Sequence, residues 1–310
     1  MSHAPAQVEP VVPGLKPHNL YVNGHTRLIT LIGKPAFHSV SPETHTLAYQ
    51  KMGLNAVFLS FEVDLDDLPA VMEGFRHADG WIDITVTMPL KQAIMEYCDE
   101  LADNARIAGA VNIVKKEADG TIKGYNSDGP GFMNNLVKQG AQVPGSTMTM
   151  VGPGGAGRAI LVQAALDGVK TLNVFAREGG NSYNLAKELA QKIEAETDCA
   201  MTVYPLEDTV LLKQKIAESD ILVNGTNVGM GIGNTETPIA KELIKPGMVV
   251  ADVINTPRET QLIKDAQSLG CLALSGIGMN DEQAVVADRI RFGIEIPIDE
   301  IRAELDALRA

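Results

Sequence analysis

Glycines at 152, 154 and 157 punctuate the run 147–158, TMTMVGPGGAGR, between a short apolar strand and an apolar helix. That spacing suits a dinucleotide. Gly152 permits a tight turn, Gly154 lets the backbone approach a pyrophosphate, and Gly157 lets the helix pack close to the strand. The N–H groups at the helix start, from Gly155 and Ala156 onward, then face the phosphates. The next strand, 171–175, ends beside Arg177 and an acid, Glu178. Elsewhere, Ser39 and Ser41 stand beside a helix start at Pro42, and two hydroxyls at such a place form a seat for a carboxylate. Ser41 also reads as the cap of that helix. Lys91 follows Met88-Pro89-Leu90, which reads as the opening of a further helix; the positive end of a helix dipole disfavours a protonated amine in the first turn. Asp128 either caps the helix that runs to Gly140 or sits at a hinge.

These residues need a scaffold, and the periodicity supplies one. A strand is expected at 27–33, a helix from Pro42 to Gly53, and a strand in which Val57, Leu59, Phe61 and Val63 alternate. A helix at 65–76 and a strand at 81–87 complete a βαβ pattern; a strand at 109–114 and a hairpin turn at Asp119-Gly120 follow. From Thr147 strand and helix alternate, which implies a parallel sheet covered on both faces. Thr226, Val253 and Gly276 fall at strand carboxyl ends, where ligands bind in open α/β sheets. The fold class is therefore α/β in two domains: an N-terminal open α/β substrate domain and a Rossmann-type doubly wound parallel-sheet domain. The expected boundaries are 25–128 for the first, joined by C-terminal helices 282–310 that Pro297 interrupts, and 129–281 for the second. Residues 1–24, with Pro5, Pro10, Pro13 and Pro17, read as a flexible tail.

Composition narrows the partners. A formal net charge of −13 disfavours nucleic acid and anionic membranes, both of which reward clustered Lys and Arg. Cys98, Cys199 and Cys271 are scattered without metal-ligand spacing, so no metal site is expected and a reducing cytoplasm is. A small-molecule substrate is the expected partner. The oligomeric state stays open, a homodimer included.

With these pieces placed, the chain resembles the shikimate dehydrogenase family over residues 27–290. His38-Ser39-Val40-Ser41-Pro42 with His45 looks like H-S-x-S-P-x-x-H, and Val86-Thr87-Met88-Pro89-Leu90-Lys91 looks like V-T-x-P-x-K. Gly109-Ala110-Val111-Asn112, Gly124-Tyr125-Asn126-Ser127-Asp128-Gly129, Asn224-Gly225-Thr226 and Gly278-Met279 with Gln283 match further motifs in order. The stretch 176–202 looks closest to the quinate/shikimate branch.

The resemblance implies an enzyme of aromatic amino acid biosynthesis that interconverts a ring ketone and alcohol of shikimate, quinate or a close analogue with NAD or NADP. It implies that Ser39 and Ser41 hold the carboxylate, that Thr87, Asn112 and Gln283 hold ring hydroxyls, and that Lys91 and Asp128 form the catalytic pair. The cofactor falls to Gly152, Gly154, Gly155, Ala156, Gly157, Arg177, Glu178, Thr226, Val253 and Gly276. NAD is favoured over NADP, because Glu178 stands where NADP-using members carry threonine, and a carboxylate repels a 2′-phosphate. The chain departs from the family at Thr85, at Asn255 in place of a tyrosine, and at Asn280-Asp281-Glu282, which suggests a pocket not tuned for shikimate itself. A dehydrogenase of another ring acid, such as an aminated analogue, and a nucleotide-sensing relative without turnover are the alternatives.

Overall fold

The computed structural model describes residues 22–309, so the expected tail lies outside the described residues except at 22–24. A first sheet grows from β1 (Arg27–Gly33), which leads through α1 (Ser41–Lys51) to β2 (Ala56–Glu62) and through α2 (Leu68–His77) to β3 (Trp81–Val86). β4 (Glu100–Leu101), α3 (Asp103–Ala108), β5 (Ile113–Lys116) and β6 (Ile122–Tyr125) complete it in the order β2-β1-β3-β5-β6-β4. β1 pairs in parallel with β2 and β3, whereas β5 runs antiparallel to both β3 and β6. The antiparallel pair follows from the turn at Asp119-Gly120, where Gly120 has φ +91°, because a tight turn joins only antiparallel neighbours.

α4 (Asp128–Lys138) leaves this sheet. β7 (Thr147–Val151), α5 (Gly155–Leu166), β8 (Thr171–Ala176), α6 (Asn181–Glu196), β9 (Ala200–Pro205), α7 (Thr209–Glu218), β10 (Ile221–Asn224), β11 (Val249–Asp252), α8 (Gln261–Ser268) and β12 (Leu272–Leu274) then alternate. Their order, β12-β11-β10-β7-β8-β9, is parallel throughout and reverses between β7 and β10. Both faces are covered: Leu172, Val174, Ile221 and Val223 enter one core, while Phe175 and Leu222 between and beside them enter another. This is the doubly wound sheet that the alternation implied, with its crevice at the carboxyl ends of β7 and β10.

α9 (Gly276–Phe292) and α10 (Ile298–Arg309) bring the chain back. Ile298, Ile301 and Leu305 of α10 are buried with Ile29, Leu47 and Phe58 of the first sheet and α1, each burial contributing roughly 1.5–3 kcal/mol. Pro297 separates the two helices. Among the described residues no helix is long and apolar enough to cross a membrane.

Several local expectations are corrected. In β2 the residues turned inward are Ala56 and Phe58, whereas Leu59 and Phe61 are 48% and 45% exposed. Phe58 is drawn in because it stacks on the buried His45 ring at 4.9 Å, and a strand at the sheet edge leaves its other face uncovered. The expected strand at 109–114 starts only at Ile113, since Gly109 at φ +64° is the left-handed end of α3.

Candidate active site

Asp128 is the hub of the site. It is the first helical residue of α4 rather than its cap; Ser127 holds the cap position. Its carboxylate is consumed by side chains from distant elements: Oδ2 accepts from Lys91 Nζ at 2.6 Å, and Oδ1 accepts from Asn112 Nδ2 at 2.8 Å and Gln283 Nε2 at 2.7 Å. The cap alternative fails because those donors outcompete the helix N–H groups, while the Asp128 N–H donates to Asn126 Oδ1 at 2.9 Å.

Glycines make the convergence feasible. A Cβ on Gly131 would lie 2.6 Å from Gln283 Cγ, and one on Gly129 would run into the Ala159 carbonyl, so α9 and α5 both approach α4 at van der Waals distance. On the other side Asn112 sits just before β5, and its Oδ1 accepts the Ser127 N–H at 2.8 Å, which ties the hairpin to the start of α4.

Lys91 does not lie in a helix's first turn. Residues 88–92 form turns, and they lead directly into a five-residue 3₁₀ segment, Ala93–Tyr97. Too few peptide dipoles align there to act on the amine, and the Asp128 carboxylate is its dominant neighbour. Ser41 is likewise not the cap of its helix. Val40, not Ser41, occupies the cap position of α1, and Ser39 Oγ accepts the Ser41 N–H at 3.2 Å while donating to Ser41 Oγ at 3.0 Å. The hydroxyls thus form a linked pair at the helix start.

Ser39, Ser41, Thr87, Lys91, Asn112, Asp128 and Gln283 all line one cavity of about 540 Å³ between the sheets. The α9 wall of the cavity shows Asn280, Gln283, Ala284, Ala287 and Arg291, a helical stripe, and Asn255 and Thr256 close the side toward the second sheet. Below the cavity lies a polar network that the sequence reading did not find. Arg291, with no exposed side-chain surface, donates from Nε to Asp83 Oδ1 at 2.9 Å, from Nη1 to Asp288 Oδ1 at 3.0 Å, and from Nη2 to Thr85 Oγ1. His45 Nδ1 and Tyr49 Oη meet the same Asp288 carboxylate at 2.8 and 2.9 Å. Burial pushes the Asp83 carboxyl up to about 6 despite Arg291, and its Oδ2 has no hydrogen-bond partner among the described residues. The available signal was Asp83 and Thr85 on one face of β3, with Thr87 in step just beyond its end, two polar groups and an acid where a core strand should be apolar.

The residues read as cofactor ligands gather apart from this cavity, at the carboxyl ends of the second sheet. Gly152 has φ +82°, and a Cβ there would clash with Thr226 Cγ2; a Cβ on Gly225 would clash with the Gly152 carbonyl. The β7 and β10 loops are therefore pressed together without room for side chains. Gly154 holds the cap position of α5 with no side-chain cap, so the first N–H groups of α5 are left for a ligand. Such a cradle fits a pyrophosphate. Thr226 Oγ1 donates to Asn224 Oδ1 at 2.7 Å and accepts the Val228 N–H at 3.0 Å, which shapes the loop. Gly276 touches Val253, where a Cβ would lie 2.5 Å from the carbonyl oxygen. Arg177 and Glu178 are exposed beyond the end of β8, and the Glu178 N–H donates to Glu207 Oε2 at 3.3 Å. Glu207, from the segment after β9, was missed because nothing in its local sequence marks it as a neighbour of β8.

A family model described as the shikimate dehydrogenase substrate binding domain matches residues 31–114. A protein named shikimate dehydrogenase (NADP(+)) from Listeria monocytogenes is 40% identical over 284 residues, covering 91% of this chain and 96% of its own length. The crystal structure of shikimate 5-dehydrogenase from Listeria monocytogenes in complex with shikimate and NAD superposes with a TM-score of 0.88 at 40% identity, covering 92% of this chain and 98% of that one. Quinate dehydrogenase from Corynebacterium glutamicum in complex with NAD gives a TM-score of 0.80 at 27% identity, with 91% and 99% covered.

Proposed function

The chain belongs to the shikimate dehydrogenase family, and we propose that it oxidises and reduces a ring hydroxyl of shikimate, quinate or a close analogue with a nicotinamide cofactor. The observation that carries this reading is the Asp128 carboxylate gripped by Lys91, Asn112 and Gln283 in the wall of a cavity that also holds Ser39 and Ser41. The nicotinamide, when bound, accepts or delivers the hydride. Lys91 handles the accompanying proton. During reduction its ammonium donates a proton to the oxygen that becomes the hydroxyl, and during oxidation the neutral amine takes it back. Asp128 holds Lys91 in place from Oδ2, while Asn112 and Gln283 fix the carboxylate from Oδ1 and keep it from rotating. Ser39 and Ser41 seat the ring carboxylate, and Thr87 meets a ring hydroxyl.

In this reading residues 25–128 with 282–310 form the substrate domain and 129–281 the dinucleotide domain, the protein works in the cytoplasm, and Gly152, Gly154, Gly155, Ala156, Gly157, Thr226, Val253 and Gly276 line the cofactor. NAD is preferred. Glu178 follows Arg177 beyond the end of β8 and the Glu207 carboxylate accepts the Glu178 N–H, so both acids belong to the loop that would meet a 2′-phosphate, and like charges oppose that phosphate. Steady-state kcat/KM with shikimate and quinate against both cofactors is the test. Absence of turnover with either acid under either cofactor would exclude shikimate and quinate as substrates, and binding of either acid with cofactor but without turnover would overturn the catalytic reading in favour of a ligand-binding relative.

A further inference from the structure

We propose that Arg302 is a specificity-determining residue that binds the substrate's carboxylate, an inference that rests on the ring-acid reading above. Arg302 belongs to α10, whose Ile298, Ile301 and Leu305 are fixed in the first-sheet core, and it reaches the cavity on another side of the helix, beside Asn280 and Asp281. Its guanidinium pairs with Asp281, Nε to Oδ1 at 3.0 Å and Nη2 to the same oxygen. Both side chains keep access to the cavity, at 20% and 16% exposure. The pairing uses only one edge of the fork: Nη1 has no protein acceptor among the described residues.

The charge balance of the cavity singles this group out. Lys91 is committed to Asp128 at 2.6 Å, and Arg291 has no exposed side-chain surface and faces Asp83 and Asp288. With Asp128 and Asp281 opposing Lys91 and Arg302, these four groups of the wall sum to zero before a substrate enters. A ring carboxylate adds a full negative charge that serine hydroxyls answer only with dipoles. Arg302 answers it with unused donors on a cation, and charge-assisted bonds are roughly twice as strong as neutral ones. The surroundings are dry enough that burial pushes the Asp281 carboxyl upward even beside Arg302. A bond formed there is correspondingly little screened. On binding, the guanidinium bridges Asp281 and the substrate.

The experiment compares shikimate with its carboxamide, each titrated calorimetrically in the presence of cofactor, in wild type and Arg302→Gln. Losing a hydrogen bond to a charged group should raise the Kd and KM of the acid roughly 10- to 100-fold, with kcat within about threefold, whereas the carboxamide should change less than about threefold. Equal losses for acid and amide, or no loss for the acid, would overturn the role of Arg302. Asp281→Asn serves as a second variant should Arg302→Gln fold poorly: it releases the guanidinium and should tighten the acid severalfold without affecting the amide, and a weakened acid would count against the proposal. Wild type that binds neither shikimate nor quinate overturns the choice of these acids as ligands, on which the proposal rests, whereas wild type that binds shikimate with the same Kd as Arg302→Gln overturns only the assignment of Arg302.

Discussion

Lys91 Nζ lies 2.6 Å from Asp128 Oδ2, and the pair is asymmetric: Asp128 is buried, whereas 28% of the Lys91 side chain is open to the cavity. The carboxylate thus acts as an anchor and the amine as the group that meets a ligand. Lys91→Ala should lower kcat by ~10²–10⁴-fold, the usual range for a lost general acid or base, with a smaller effect on KM. Asp128→Asn should lower kcat as well while leaving the fold intact, because the amide still fills the space between Asn112 and Gln283. Near-normal kcat in Lys91→Ala would move proton transfer elsewhere.

Gly152 is under double constraint, from φ +82° and from Thr226 Cγ2 against the space where a Cβ would lie. Gly152→Ala should weaken cofactor binding at least about tenfold, since a strained backbone of ~1–3 kcal/mol is relieved by shifting the loop that forms the cradle. Adding Thr226→Ser removes the methyl and should restore part of the affinity. If the double variant binds cofactor no better than Gly152→Ala, backbone strain alone is responsible.

The cofactor preference has its own test. Glu178→Thr and Glu207→Gln should each shift the ratio of kcat/KM for NADP over NAD upward by about tenfold, because each removes a charge opposed to the 2′-phosphate. A wild-type enzyme that prefers NADP, with a ratio unmoved by Glu178→Thr, would show that this side chain does not reach the ribose.

Asp83 links stability to pH. Its folded value of about 6 is raised above the ~3.9 of an unfolded aspartate, so between these values the folded state holds the proton more tightly. The sign follows: this group's contribution is present at low pH and is lost as pH rises through about 6, by roughly 3 kcal/mol in total. Asp83→Asn abolishes the titration. In urea unfolding at pH 4.5, 5.5 and 7, the stability of the variant relative to wild type should therefore improve with pH, and a constant offset would mean that Asp83 is ionised in the folded state across the whole range.

Much of this protein is legible in its sequence, because the features concerned are local. The 152–157 glycines encode a turn and a close helix approach through sterics that depend on a few neighbouring residues, and the alternation after Thr147 encodes a parallel sheet through its period alone. The chemical types at Ser39, Lys91, Asn112, Asp128 and Gln283 also carried the resemblance. What only tertiary structure decided is which of them meet and in what surroundings. Asp128 and Gln283 are 155 positions apart, and they touch because Gly131 lets α9 cross α4 closely. Local reading put Lys91 in a helix, offered Ser41 as a cap, and offered Asp128 as a cap or a hinge residue; for Asp128 the donors that decide its place come from distant elements, Lys91, Asn112 and Gln283. The salt-bridged floor of Arg291 and Asp83, 208 positions apart, and the Arg302–Asp281 pair were invisible for the same reason: a buried charge is tolerated only beside its partner, and packing, not sequence neighbourhood, supplies the partner.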